Sequence, residues 1–72
     1  MRIGGVYMYK GKYPVYITAG CFETGGRISN FWDFKKVKPD GTLSQREMGD
    51  YDNEHGKFAR IKGAKVAIMV TL

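Results

Sequence analysis

An all-β fold, specifically a small five-stranded SH3-like barrel, is what this chain predicts, and three observations carry the prediction. Ten glycines but only two prolines stand in 72 residues, and the glycines punctuate short runs of β-branched and aromatic residues. No segment sustains the 3.6-residue hydrophobic period of a helix. The stretch from Gly25 to Val37, followed by Lys38-Pro39-Asp40-Gly41, combines alternation, aromatic density and turn chemistry into a hairpin.

Ile3 to Tyr9 reads as the first strand, with Val6 and Met8 on one face and Tyr7 and Tyr9 on the other. Lys10-Gly11-Lys12 turns the chain into a second strand, Tyr13 to Ala19, whose Val15 and Ile17 oppose Tyr16 and Thr18. Pro14 cannot donate to a ladder, so it belongs at a strand's opening or on an edge. Gly20 to Gly26 interrupts the alternation and reads as a loop, its Phe22 folding back over the core.

Ile28 to Val37 is the third strand, with Trp32, Phe34 and the stem of Lys36 on one face and Phe31, Asp33, Lys35 and Val37 on the other. Pro39-Asp40-Gly41 presets a turn that returns the chain into Thr42 to Arg46, the fourth strand. Glu47 to Gly56 is polar and acidic and reads as a second long loop. Lys57 to Ile61 is a short strand or a single 3₁₀ turn. Lys65 to Thr71 is a strand whose apolarity implies burial on both faces or pairing at a barrel seam.

A chain of this length makes one domain, residues 1–72, and is short for a two-sheet sandwich, which takes about 100 residues. Closure into a barrel also protects strand edges. An OB-like barrel ranks second, because its helix between strands has no candidate here.

Twelve Lys and Arg against seven Asp and Glu give a net charge of +5, which biases the surface toward phosphates, acidic proteins or anionic headgroups. Cys21 is the only cysteine, so one chain holds no disulfide and lacks a zinc ligand set, which fits a reducing cytosol. No run is long and apolar enough for a signal segment or a membrane helix, and a cytoplasmic protein without a membrane partner is expected.

Asp50 to Glu54 alternates oxygen donors as a calcium loop does, but His55 stands where that loop needs glycine and Ile61 where it needs glutamate. Cys21 and His55 lack a third, orienting residue, and Gly4-Gly5 and Gly25-Gly26 lack phosphate-loop spacing. Neither an enzyme nor a cofactor is expected.

A binding surface remains. Tyrosines and other rings are too numerous for so small a core, and the strand phases suggest several on the face opposite Val6, Val15 and Ile17. With the neighbouring cations they form the candidate set Tyr7, Tyr9, Lys10, Lys12, Tyr16, Arg27, Lys35, Lys36 and Lys38. Stacking platforms amid positive charge hold single-stranded nucleic acid at about 1–3 kcal/mol per base. Trp32 and Phe34 read as core. The alternative partner is a host protein, since tyrosine, tryptophan and arginine dominate hot spots between proteins. Lys65 to Thr71, as an open edge, offers a third contact, a homodimer.

The stretch Lys10-Gly11-Lys12 through Gly25-Gly26-Arg27-Ile28-Ser29-Asn30-Phe31-Trp32 and Lys38-Pro39-Asp40-Gly41-Thr42-Leu43 resembles small SH3-like proteins encoded by phages and prophages. The resemblance covers about two thirds of the chain and implies a barrel and a mobile-element context, with the host cytoplasm as the site of action and no activity or functional residue specified.

Overall fold

The structure, a computed structural model, describes residues 1–23 and 27–61. Five strands follow in chain order: β1 (Val6–Tyr9), β2 (Tyr13–Glu23), β3 (Arg27–Val37), β4 (Leu43–Tyr51) and β5 (Phe58–Arg60). They form a single antiparallel sheet in the order β4-β3-β2-β1-β5. Among the described residues no ladder joins β4 to β5, so the sheet is open and these two strands are its edges. No helix among the described residues is long and apolar enough to cross a membrane.

Turn chemistry sets the register. Lys10 and Gly11 both adopt positive φ, 52° and 67°, and the Lys12 amide donates to the Tyr9 carbonyl at 2.9 Å. Positive φ at both central residues is the twist a tight hairpin prefers. It pairs Tyr9 with Tyr13, Tyr7 with Val15 and Val6 with Tyr16. At the second hairpin Gly41 takes φ 86° and donates to the Lys38 carbonyl at 2.9 Å, while the Lys38 amide donates to the Thr42 carbonyl at 2.7 Å. The Pro-Asp-Gly turn read from the sequence therefore stands, as does Pro14 at the opening of β2, where it pairs with Met8.

Directly opposed residues of an antiparallel ladder point to the same face. Tyr7 and Tyr9 accordingly share a face with Val15 and Ile17 rather than opposing them, which corrects the expected arrangement. Tyr7, Val15, Ile17 and Phe34 are the buried core, and Tyr9, Tyr13, Trp32, Met48, Phe58 and Met1 pack around it. Fully burying Val15, Ile17 and Phe34 contributes about 1.5–3 kcal/mol each. The expectation that Phe34 and Trp32 serve the core is met, with Trp32 at its margin.

Three boundaries differ from the sequence reading by three residues or more. β1 starts at Val6, because Arg2 to Gly5 makes a turn closed by the Gly5 amide on the Arg2 carbonyl at 3.2 Å, with Gly4 at φ 86°. β2 runs through Gly20 to Glu23 instead of ending at Ala19. β4 extends to Tyr51, so the first half of the expected acidic loop, Glu47 to Tyr51, is strand.

Both extensions pass through a glycine on which a ring rests. A Cβ on Gly20 would lie 3.0 Å from the Trp32 ring, and one on Gly49 would collide with the Phe31 ring. Register shifts at Ile17/Ala19 and Gly20/Phe22 mark bulges in β2, which bend a strand and increase its twist. Phe58–Arg60 resolves the strand-or-turn alternative as a strand on β1. Lys65 to Thr71, with the homodimer read onto it, lies outside the described residues, as does the Phe22 side chain.

The bulge after Ile17 makes a sharp test of this register. Ile17→Ala removes a fully buried side chain and should cost about 2–5 kcal/mol. Thr18→Ala removes a methyl and a hydroxyl of a half-exposed side chain, the hydroxyl donating to the exposed Glu47 carboxylate at 2.7 Å, and should cost about 1 kcal/mol. Urea denaturation of the two variants measures both, and equal losses would contradict the register.

Candidate nucleic-acid interface

The ladders place the candidate cations. Val15 pairs with Lys36 and Tyr16 with Lys35, so the start of β2 lies beside the end of β3. The β1–β2 turn and the β3–β4 turn therefore sit at the same end of the sheet. Lys10 and Lys12 on the first turn join Lys36 and Lys38 at the second, and all four side chains are exposed.

Two of these ammonium groups lie over tyrosine rings, Lys36 Nζ at 4.7 Å from the Tyr13 centroid and Lys10 Nζ at 5.4 Å from that of Tyr9. Each is a cation–π contact of about 0.5–1 kcal/mol at an exposed site. The Lys36 amide also donates to Ser44 Oγ at 3.2 Å, which ties the end of β3 to the start of β4.

Asp40 is the acid of this end. Its carboxylate accepts the Thr42 hydroxyl at 2.6 Å and the Thr42 amide at 3.0 Å. Those bonds, the hydroxyl's first, hold its carboxyl below the ordinary aspartate range, so it stays ionised and locked into the turn.

The remaining candidates separate. Tyr7 is buried, and its hydroxyl accepts the Arg2 amide at 3.2 Å. Tyr16 and Lys35 oppose each other on the other face, where Lys35 also stands opposite Glu47. Arg27 opens β3 at the far end, paired with Glu23, and its side chain lies outside the described residues. Of the nine candidates, the structure thus brings together Lys10, Lys12, Lys36 and Lys38, with Tyr9 partly buried beneath Lys10.

Tyr9 is engaged from the other side. Its hydroxyl donates to Asp50 Oδ2 on β4 in a short hydrogen bond. Lys57, buried just before β5, places Nζ 3.5 Å from the same oxygen and donates to the Tyr51 carbonyl and to Asn53 Oδ1, both at 2.9 Å. Two of the side-chain oxygens that made Asp50 to Glu54 look like a calcium loop, those of Asp50 and Asn53, meet a lysine ammonium here. His55 is exposed, and the Cys21 side chain lies outside the described residues.

Burial first, and the bond to Asp50 second, push the Tyr9 phenol up to about 12. The same bond is the leading reason the Asp50 carboxyl lies below its ordinary range. Sequence reasoning missed this network and missed Tyr13. The symmetric spacing of Tyr9 and Tyr13 around the Lys10-Gly11-Lys12 turn was the available signal, since a tight hairpin sets such residues opposite each other.

Comparison with protein-family models, curated proteins and solved structures gives no match to this chain.

The Tyr9 phenol supplies a pH signature. Its folded value exceeds its unfolded value of about 10, so the stability from the protonated, hydrogen-bonded form is complete below pH 10. It is lost as pH rises through about 12. Denaturation midpoints of wild type and Tyr9→Phe taken between these limits should converge with rising pH, and a constant difference would count against the bond.

Proposed function

We propose that this chain is a non-enzymatic binding module, an SH3-like barrel acting in the cytosol, that holds nucleic acid at the end of the sheet where the two lysine-bearing turns meet. Five antiparallel strands with side chains bridging β1 to β4 support the barrel reading. The resemblance to phage-encoded SH3-like proteins supports the same architecture and gives the host cytoplasm as its setting.

The observation that carries the function is the shared end itself. Lys10, Lys12, Lys36 and Lys38 are spread over 29 residues of sequence yet converge where both hairpins turn. Flexible ammonium groups at one end of a rigid sheet suit phosphates, which each lysine meets as a point charge. Lys35 and Arg27 contribute little to this cluster, because one lies on the other face and the other at the far end.

Fluorescence anisotropy of a labelled oligonucleotide across a salt series tests the reading. Affinity should fall steeply with salt through counterion release, with a slope reduced by about 0.7 for each single-strand phosphate contact removed. The double variant Lys36→Gln/Lys38→Gln should weaken binding by about tenfold or more, while Lys35→Gln should change it little. Salt-insensitive capture of a host protein that survives nuclease treatment, with no oligonucleotide binding, would replace nucleic acid with a protein partner.

A further inference from the structure

We infer that the nucleic acid is single-stranded and that one of its bases stacks on Tyr13, taking the place the Lys36 ammonium occupies on that ring. This deepens the nucleic-acid reading and rests on it.

Tyr13 opens β2 directly after the first turn, among the four lysines. Its ring is held from several directions. Tyr9 packs against it at a centroid distance of 5.7 Å and a tilt of 49°, and its hydroxyl points to Met48 Sδ at 3.9 Å. The ring leans on the core and is partly exposed. A face fixed in this way is a preorganised platform, so a ligand that uses it spends little on ordering the side chain.

Among the described residues the cation over that ring is Lys36, whose Nζ lies 4.7 Å from the centroid. Lys36 is exposed, and among the described residues no carboxylate pairs with its ammonium. A lid of this kind is cheap to lift. An exposed cation–π contact corresponds to a factor of about 2 to 5 in an equilibrium, whereas a base stacked on an aromatic ring corresponds to about 5 to 150. The exchange favours the base, and the displaced ammonium remains on its flexible stem within reach of the strand's own phosphates. A duplex keeps its base faces inside the stack and cannot make the exchange.

Three probes of equal length at one salt concentration separate the outcomes: a single-stranded oligothymidylate, the same backbone with abasic residues, and a duplex. Wild type should bind the oligothymidylate about tenfold or more tighter than the abasic strand. Tyr13→Leu should erase that preference, while Tyr13→Phe should keep it.

Should Tyr13→Leu fail to fold, nuclear magnetic resonance of wild type decides. The Tyr13 ring protons should move upfield with oligothymidylate and stay in place with the abasic strand. Equal binding of the thymidylate and abasic strands, a preference for duplex, or a preference that persists in folded Tyr13→Leu would overturn the stack while leaving nucleic-acid binding intact. Failure of all three probes to bind would remove the parent reading itself.

Discussion

The Asp50 carboxylate, gripped by the Tyr9 phenol on β1 and approached by the Lys57 ammonium just ahead of β5, is the constraint on which the shape of this molecule turns. β1 and β4 are not neighbours, since β3 and β2 lie between them in the sheet. A side chain of one can reach the other only if the sheet curls. Side chains bridge strands that no ladder joins among the described residues: Tyr9 to Asp50, Tyr13 to Met48, and Lys57 to the Tyr51 carbonyl on the edge strand. Lys57 is buried, yet its ammonium has oxygen partners on Asp50, Tyr51 and Asn53, the condition under which a buried charge is tolerable.

Curling has its own requirements, and the sequence meets them at particular residues. The bulges of β2 bend the central strand where it passes Trp32 and Phe34. Gly20 and Gly49 leave room for rings to lie across the strands, Trp32 over one and Phe31 over the other, with Phe31 meeting Tyr51 edge-on at 4.9 Å. Inside the curve, Tyr9, Phe34 and Phe58 pack with centroids 4.9 to 5.4 Å apart, so three strands are tied by one aromatic cluster. Geometry of this kind adds about 0.5–1.5 kcal/mol per ring pair beyond the area buried.

Much of this was legible before any coordinates. Gly11 and Pro39-Asp40-Gly41 announced the β1–β2 and β3–β4 hairpins, and alternation separated the two faces within β1 and along β2 up to its first bulge. Alternation could not relate one strand's faces to the next strand's. That depended on the opposition of Tyr9 to Tyr13, which moved Tyr7 into the core beside Val15. Gly20 and Gly49 misled because a glycine beneath a ring looks, in a sequence, like a glycine in a loop. The site was hidden for a related reason: Lys10 and Lys38 are neighbours only through the order of the sheet, and Lys57 looked like any surface cation until its three oxygen partners were in place.

The first turn shows how curvature and charge are joined. Lys10 stands at φ 52°, the one non-glycine residue with positive φ among those described, a conformation that costs an L-residue about 1–2 kcal/mol. Two interactions offset that cost. The Lys10 amide donates to the Lys57 carbonyl at 2.8 Å, which fastens the turn to the same segment that carries the buried ammonium. Its side chain lies over the Tyr9 ring, whose hydroxyl grips Asp50. The groups that bridge β1 to β4 are thus the groups that hold a lysine at the tip of its turn. Loosening the Asp50 network would disturb the placement of positive charge at this end before it disturbed the core around Val15 and Ile17.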